Sequence, residues 1–321
     1  MQALKLTHEN VKAIFPKAPA AVVDAFVAKQ QILADAGVTA TRPRFADFCA
    51  NIEHECDGFN VNGFVKNLTE NIEAYSHGRM AQVWPGRFPG GGAQVAARFG
   101  TAPRWQYRAF DVIYGNRMGN GGPETHDGSK YIGRGGPQWT GKDGYRVVQE
   151  LTGLPALAQP EVVCQLDKQP EVCTAFWRWK RMNRYSDTGN WIGLVKAWNG
   201  GTNGLADRNA RKVGNADVIR RMQILDVVKT MPGGPAVPNQ PPKPVVDEAT
   251  ATERKTRAGG VATAGAGGAN ELTGAVEAPK AVPSIAMSVV NYTLIGAGVC
   301  IILIATFLIV RKVKLVRENW F

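Results

Sequence analysis

Residues 281–310 contain no charged side chain, and most of them are apolar. As an α-helix, the segment from Ile285 to Val310 is long enough to cross a hydrocarbon core about 30 Å thick. Basic residues follow it in the C-terminal tail, which by the positive-inside rule predicts a cytoplasmic C-terminus. The sequence therefore predicts a transmembrane helix over residues 284–310 and a basic tail over residues 311–321.

The segment before this helix has an unusual composition. Residues 232–244 are rich in proline, and residues 258–276 are rich in Gly, Ala and Thr. Proline favours extended backbone, and a segment with so few large apolar side chains cannot form a core. We predict a disordered, flexible linker over residues 229–283, which leaves one folded domain over residues 1–228.

The folded part has the apolar spacing of helices. Residues 20–36 repeat apolar side chains at helical intervals, and Gly37 follows as a stop signal. Thr7 precedes a short amphipathic segment as a helix N-cap, and another helix surrounds Phe48 and ends near Gly58. Strand-like alternation is scarce, so the domain is predicted to be mainly α with long functional loops. Further helices are predicted at 66–81, 91–98, 105–113, 143–152, 169–183 and 190–198.

The formal net charge is +11, of which about seven charges belong to the first 228 residues. A basic domain favours polyanionic partners such as a bacterial cell wall, nucleic acid or anionic lipid. No nucleic-acid-binding motif is present, so no nucleic-acid partner is predicted. The five cysteines lack metal-ligand spacing, and no metal or cofactor is predicted. Two disulfides and buried free thiols remain alternatives.

Two glycine-rich segments, residues 114–120 and 131–141, have a composition suited to a sugar-binding cleft. Glycine lets the backbone approach a ligand closely, amides supply neutral hydrogen-bond partners, and aromatic rings offer flat faces to pyranoses. The alternative is a glycine-rich surface connection with incidental polar residues. The proposed flat faces are those of Tyr114, Tyr131 and Trp139, and the polar partners are Asn116, Asn120, Gln138 and Thr140.

Glycoside hydrolysis requires two carboxyl groups that flank a cleft. Glu55 lies at the end of a predicted helix beside Gly58, where partial desolvation would raise its pKa and suit it to donate a proton. Glu70 follows in a second acidic segment. Glu53 and Glu73 are the alternative carboxylates, and a solvated helix face is the alternative interpretation of the first cluster.

The motifs together resemble the active-site region of glycoside hydrolase family 19. Their order and spacing are most similar to the chitinase-like endolysins of bacteriophages and prophages, over roughly residues 5–226. The resemblance implies an α-rich, two-lobed, lysozyme-like fold that cleaves β-1,4 bonds in chitin or peptidoglycan with inversion and without a metal. The matching segments are residues 54–59, 70–76, 83–88, 114–120, 127–128, 133–141 and 199–208.

The same resemblance implies roles for individual residues. Glu55 is expected to be the general acid, and Glu70 the second carboxylate, which activates water with help from the Thr140 hydroxyl. The gap between Glu55 and Glu70 is longer than in the related lysins, and Glu73 is the alternative base. The expected substrate-binding residues are Tyr114, Asn116, Tyr131, Arg134, Gln138 and Asn199.

The sequence as a whole predicts a membrane-anchored glycosidase that degrades peptidoglycan, encoded by a phage or prophage for wall penetration or lysis. The positive charge favours wall polyanions over neutral chitin. The catalytic domain is expected on the periplasmic or exterior side of a bacterial inner membrane or a virion membrane. A chitinase and a non-catalytic wall-binding virion protein are the alternatives.

Overall fold

The computed structural model describes residues 2–226. The predicted linker, transmembrane helix and basic tail, at 229–283, 284–310 and 311–321, lie outside these residues. Within the described range, no helix is long and apolar enough to cross a membrane.

The domain is mainly helical, as predicted. The α-helices are α1 His8–Ile14, α2 Ala20–Ala28, α3 Gln30–Asp35, α4 Arg42–Cys56, α5 His77–Val83, α6 Gly91–Phe99, α7 Trp105–Tyr114, α8 Asp127–Lys130, α9 Lys142–Thr152, α10 Gln169–Trp179, α11 Asn183–Asp187, α12 Trp191–Asn199 and α13 Leu205–Arg221. Short 3-10 turns lie at Lys66–Leu68, Ile72–Ala74, Pro123–Thr125, Pro160–Cys164 and Leu166–Lys168. Strands β1 (Gln2–Leu4) and β2 (Ile224–Asp226) pair antiparallel, with Gln2 opposite Asp226, and join the two ends of the described chain.

Capping residues define both ends of helix α4. The side chain of Thr41 accepts a hydrogen bond from the backbone N–H of Arg44, and a proline lies in the first turn. Asp57 ends the helix in the left-handed conformation, and Gly58 continues with positive φ. As a result, Glu55 lies in the last turn of a well-delimited helix.

Aromatic side chains form clusters in the core of the described residues. Phe15, Phe26 and Phe59 pack together, with Phe15 and Phe59 edge to face at a centroid distance of 5.2 Å. A second cluster, around Trp84 and Phe110, packs α5, α6 and α7 against one another. The side chains of Trp177 and Trp179 are also buried.

Most of the segments with strong apolar periodicity form helices where the sequence predicts them. These helices are α4, α6, α7, α9 and α12. Two others are divided: residues 20–36 form α2 and α3 with a break at Lys29, and residues 169–183 end α10 at Trp179. The four cysteines within the described residues are free thiols.

The prediction of one helix over residues 66–81 is wrong. Asn67 and Leu68 have positive φ, which breaks a right-handed helix. The backbone N–H of Glu70 then donates to the Gly133 carbonyl at 2.8 Å, so this stretch pairs with a distant loop. The helix begins only at His77, where Ser76 serves as its N-cap.

Candidate active site

The carboxylate of Glu55 is buried against a guanidinium. Nη2 of Arg208 donates to Oε1 of Glu55 at 2.5 Å, and the two side chains are 1% and 8% exposed. Nη1 of Arg208 also donates to the Asn51 side-chain carbonyl. Because each buried charge costs several kcal/mol to desolvate, an ion pair of this kind persists only when its geometry and remaining hydrogen bonds are good.

The pair belongs to a row of polar contacts between α4 and α13. Asp47, Asn51 and Glu55 are four residues apart and therefore share one face of α4. Asp47 forms an ion pair with Lys212 at 2.6 Å and accepts a hydrogen bond from Ser186 at 2.7 Å. Burial raises the pKa of Asp47, against the lowering effect of Lys212. These contacts set the register of the two helices and hold Glu55 in place.

Glu53, one of the alternative carboxylates, has a different environment. It lies two residues from Glu55, which places it on another face of α4. Nδ2 of Asn215 donates to its Oε2 at 2.5 Å, and burial raises the pKa of Glu53 to about 7. Glu53 therefore titrates near neutrality but has no part in the Arg208 contact.

Glu70 lies in the segment that pairs with the loop at Gly133. Its side chain is buried, and Oε2 accepts a hydrogen bond from the Gly133 N–H at 3.2 Å. A Cβ placed on Gly133 would come within 2.8 Å of Gln138 Oε1, 3.3 Å of Glu70 Oε2 and 3.5 Å of Thr140 Oγ1. The structure thus brings Glu70, Gln138 and Thr140 together around a glycine.

The conformation of this loop is held from several sides. Gln138 has positive φ, and its Nε2 donates to the Gly135 carbonyl at 2.9 Å. Oγ1 of Thr140 donates to the Gln138 carbonyl at 3.0 Å, and Thr140 as a residue is partly exposed. A carboxylate and a hydroxyl that face the same small space can position water, because both groups accept its hydrogen bonds.

Glu73, the alternative base, lies away from this cluster. Its side chain is 59% exposed, and it accepts a hydrogen bond from the Tyr107 hydroxyl at 3.1 Å. Arg104 lies 3.9 Å from the same carboxylate. The environment of Glu73 is that of a surface carboxylate, whereas Glu70 is enclosed by the loop.

The prediction that aromatic rings of the glycine-rich segments face a sugar is wrong. Tyr114 is 4% exposed, and its ring packs against Phe110 and Trp84 in the core. Tyr131 is equally buried, and its hydroxyl donates to the Leu157 carbonyl at 3.0 Å. Trp139 is fully buried and stacks on a neighbouring tryptophan. Stacking on a pyranose requires an exposed face, which none of the three rings has.

The other expected substrate-binding residues differ in exposure. Asn116 is exposed and has positive φ. Arg134 is partly buried, and its Nη1 donates to the Lys130 carbonyl and the Tyr145 hydroxyl at 2.7 and 3.0 Å. Asn199 is buried and hydrogen-bonded to the backbone of Gly201 and Asn203, so it shapes the loop that leads into α13.

Arg208 and Asn51 are the site residues for which the sequence interpretation assigned no role. The available signal was the four-residue spacing of Asp47, Asn51 and Glu55 in a helix that is otherwise apolar over residues 45–52, which indicates a polar partner on the facing element. Within residues 2–226, no group of three or more His, Cys, Asp or Glu side chains is arranged to hold a metal ion.

We expect Arg208→Met to lower the free energy of unfolding by about 3–5 kcal/mol, because it leaves Glu55 buried without its charge partner. The measurement is urea denaturation followed by circular dichroism. The matched control is Arg220→Met at the exposed end of α13, for which a change below about 0.5 kcal/mol is expected. The double variant Arg208→Met/Glu55→Gln should recover part of the lost free energy of unfolding. Equal losses in Arg208→Met and Arg220→Met would contradict the stabilising role of the buried Glu55–Arg208 ion pair.

No protein-family model matches the chain. A glycosyl hydrolase family 19 domain-containing protein of Haemophilus influenzae is 32% identical over 205 residues, which are 64% of this chain and 92% of that protein. Two crystal structures of chitinase C, one of a mutant and one of the Streptomyces griseus HUT6037 protein, align with 67% of this chain and 77% of theirs. Their identities are 15% and 17% and their TM-scores 0.42 and 0.38. On the identity and coverage of the Haemophilus relative, the chain belongs to glycoside hydrolase family 19 and is a glycoside hydrolase.

Proposed function

We propose that the domain hydrolyses β-1,4 glycan bonds with inversion, with Glu55 as the general acid and Glu70 as the general base. The observation that carries this proposal is the presence of two buried carboxylates on separate elements, one at the end of α4 and one in the loop bound to Gly133. An inverting glycosidase needs such a pair about 6.5–9.5 Å apart, so that water fits between the base and the anomeric carbon.

Glu55 protonates the leaving glycosidic oxygen and becomes a carboxylate as the bond breaks. Arg208 lies 2.5 Å from this carboxylate and is itself buried, so it stabilises the charge that develops on Glu55. A charge–charge contact is stronger in a partly desolvated site than in water. The same contact favours the ionised carboxylate before the reaction, so Glu55 acts as the acid only in enzyme molecules in which it has first taken up a proton. In these molecules Arg208 stabilises the carboxylate that proton transfer leaves behind.

Glu70 accepts a proton from the attacking water. The Gly133 N–H donates to one carboxylate oxygen, and the Thr140 hydroxyl, which faces the same glycine, helps orient the water. Gly133 has no side chain, and a Cβ there would crowd Gln138 and Glu70. The substrate-binding residues in this proposal are Asn116, Arg134, Gln138 and Asn199.

Peptidoglycan is the proposed substrate, and chitin is the alternative. Support for peptidoglycan comes from the positive charge of the first 228 residues, about +7 of the net +11, which suits the carboxylates and phosphates of a bacterial wall better than an uncharged polymer. The motif order that resembles phage endolysins supports the same choice. The proposed domain is two-lobed and lysozyme-like.

We further propose that the enzyme is tethered to a membrane by residues 284–310 through the linker at 229–283. The catalytic domain would lie on the periplasmic or virion-exterior side, with the C-terminus inside. A phage or prophage origin, for wall penetration or lysis, follows from the same resemblance. Recovery of the full chain in the soluble fraction of expressing cells would contradict the tether.

The variant Glu55→Gln should lose glycan cleavage by roughly 10²–10⁴-fold, because the amide cannot donate the required proton. Glu70→Gln should show a loss of the same order, since it removes the base. Release of reducing ends from purified peptidoglycan sacculi and from chitin oligomers is the measurement. Glu73→Gln is the matched control, an exposed carboxylate in the same segment, and should stay within about twofold of wild type. A fully active Glu55→Gln enzyme would exclude the proposed mechanism.

Wild-type enzyme should cleave sacculi faster than chitin oligomers of matched glycan concentration, and the advantage should shrink as ionic strength rises, because the attraction is electrostatic. The measurement is the initial rate on each substrate at low and high salt. Equal rates on both polymers would remove the preference for peptidoglycan, and faster cleavage of chitin would assign the enzyme to the chitinase alternative.

A further inference from the structure

Two adjacent residue pairs cross the interface between α4 and α13 side by side. Glu55 meets Arg208, and the preceding residues on each helix meet as well: Nδ1 of His54 lies 2.6 Å from Oδ2 of Asp207. The second pair is partly buried, with side-chain exposures of 14% for His54 and 45% for Asp207. Since Asp207 and Arg208 are consecutive, a contact that holds one backbone position constrains the other.

The ring of His54 also packs against the start of α13. A Cβ placed on Gly204 would lie 2.2 Å from Cε1 and 2.3 Å from Nε2 of His54, so only glycine permits this approach. Gly204 is the N-cap residue of α13 and has φ of +72°. His54 thus contacts the first turn of α13 twice, by packing at Gly204 and by a hydrogen bond at Asp207.

The charges around the pair define which atom donates. Burial lowers the pKa of His54, an effect that exceeds the opposing influence of Asp207, so the imidazole is neutral at neutral pH. Burial raises the pKa of Asp207, but hydrogen bonds from His54 and Arg211 outweigh it and bring the pKa to about 2. A neutral imidazole beside a carboxylate carries its proton on the near nitrogen, so Nδ1 donates to Asp207.

We propose that His54 is a positioning residue, which through Asp207 and Gly204 holds the first turn of α13 so that Arg208 meets the Glu55 carboxylate. The inference rests on the proposed role of Glu55 as the general acid. Loss of the His54–Asp207 hydrogen bond leaves the substrate-binding loop at Gly133 unaltered. It loosens the Arg208 guanidinium, which stabilises ionised Glu55. Small displacements of such groups lower rates by large factors, whereas binding of the ground state changes little.

The test compares variants of the full chain by kcat and KM, on whichever of sacculi or chitin hexamer the wild-type enzyme cleaves. His54→Ala should lower kcat at least about tenfold, with KM within about twofold. His54→Asn should restore most of the rate, because its amide nitrogen takes the place of Nδ1, whereas His54→Gln places its nitrogen near Nε2 and should not. Asp207→Ala should match His54→Ala, and the double variant should be no worse than either single variant.

The chain offers a matched control in His8, which forms an exposed ion pair with Asp24 at 3.1 Å. His8→Ala should leave kcat unchanged. Unaltered kcat in His54→Ala, equal rates for the Asn and Gln variants, or additive losses in the double variant would each overturn the positioning role. If His54→Ala fails to fold, the comparison of His54→Asn with His54→Gln tests the positioning role by itself. A higher kcat for His54→Asn supports that role, and equal kcat values overturn it.

Glu55→Gln, measured beside these variants, separates this inference from the proposed function. An active Glu55→Gln enzyme would remove the proposed acid, and the positioning role with it. An inactive Glu55→Gln enzyme together with an active His54→Ala enzyme would overturn the positioning role alone.

Discussion

The buried ion pair between Glu55 and Arg208 is the contact on which the site depends. Desolvation of the two charges costs several kcal/mol each. The ion pair and the surrounding hydrogen bonds offset that cost only in one register of the two helices. Asn51 satisfies a second donor of Arg208, while Asp47 and Lys212 continue the polar row along α4 and α13. The polar row therefore specifies how the two helices pack, and the same packing delivers a carboxylate to the end of α4.

The second carboxylate, Glu70, is positioned in a different way. Its backbone pairs with Gly133, a residue far along the chain, and the helical conformation is broken just before it at Asn67 and Leu68. Gly133 admits Gln138 and Glu70 to the same small space. One proposed catalytic group is thus carried by a helix and the other by a loop held through backbone hydrogen bonds.

The sequence predicts much of this fold, and its failures have physical causes. Helices such as α6, α7, α9 and α12 follow from apolar periodicity, which is a local signal. The segment at 66–81 does not form the predicted helix, because its pairing with Gly133 is non-local and overrides helix propensity. The composition of a glycine-rich loop also does not reveal which way a ring points. The sequence therefore predicts Tyr114, Tyr131 and Trp139 in a cleft, whereas their rings pack in the core. Glu55 and Glu70 follow from motif resemblance, whereas Arg208, the partner of Glu55, becomes evident only when α4 and α13 are seen together.

The central claim, that Glu55 and Glu70 act through a water molecule as acid and base, is tested most directly by the stereochemistry of the product. Proton NMR of chitin oligomers or soluble peptidoglycan fragments, recorded within minutes of cleavage and before mutarotation, reports the anomer at the new reducing end. Inverting hydrolysis of a β-1,4 bond predicts the α-anomer. A β-anomer would mean retention and a covalent intermediate, and would contradict the assignment of Glu70 as a base that activates water.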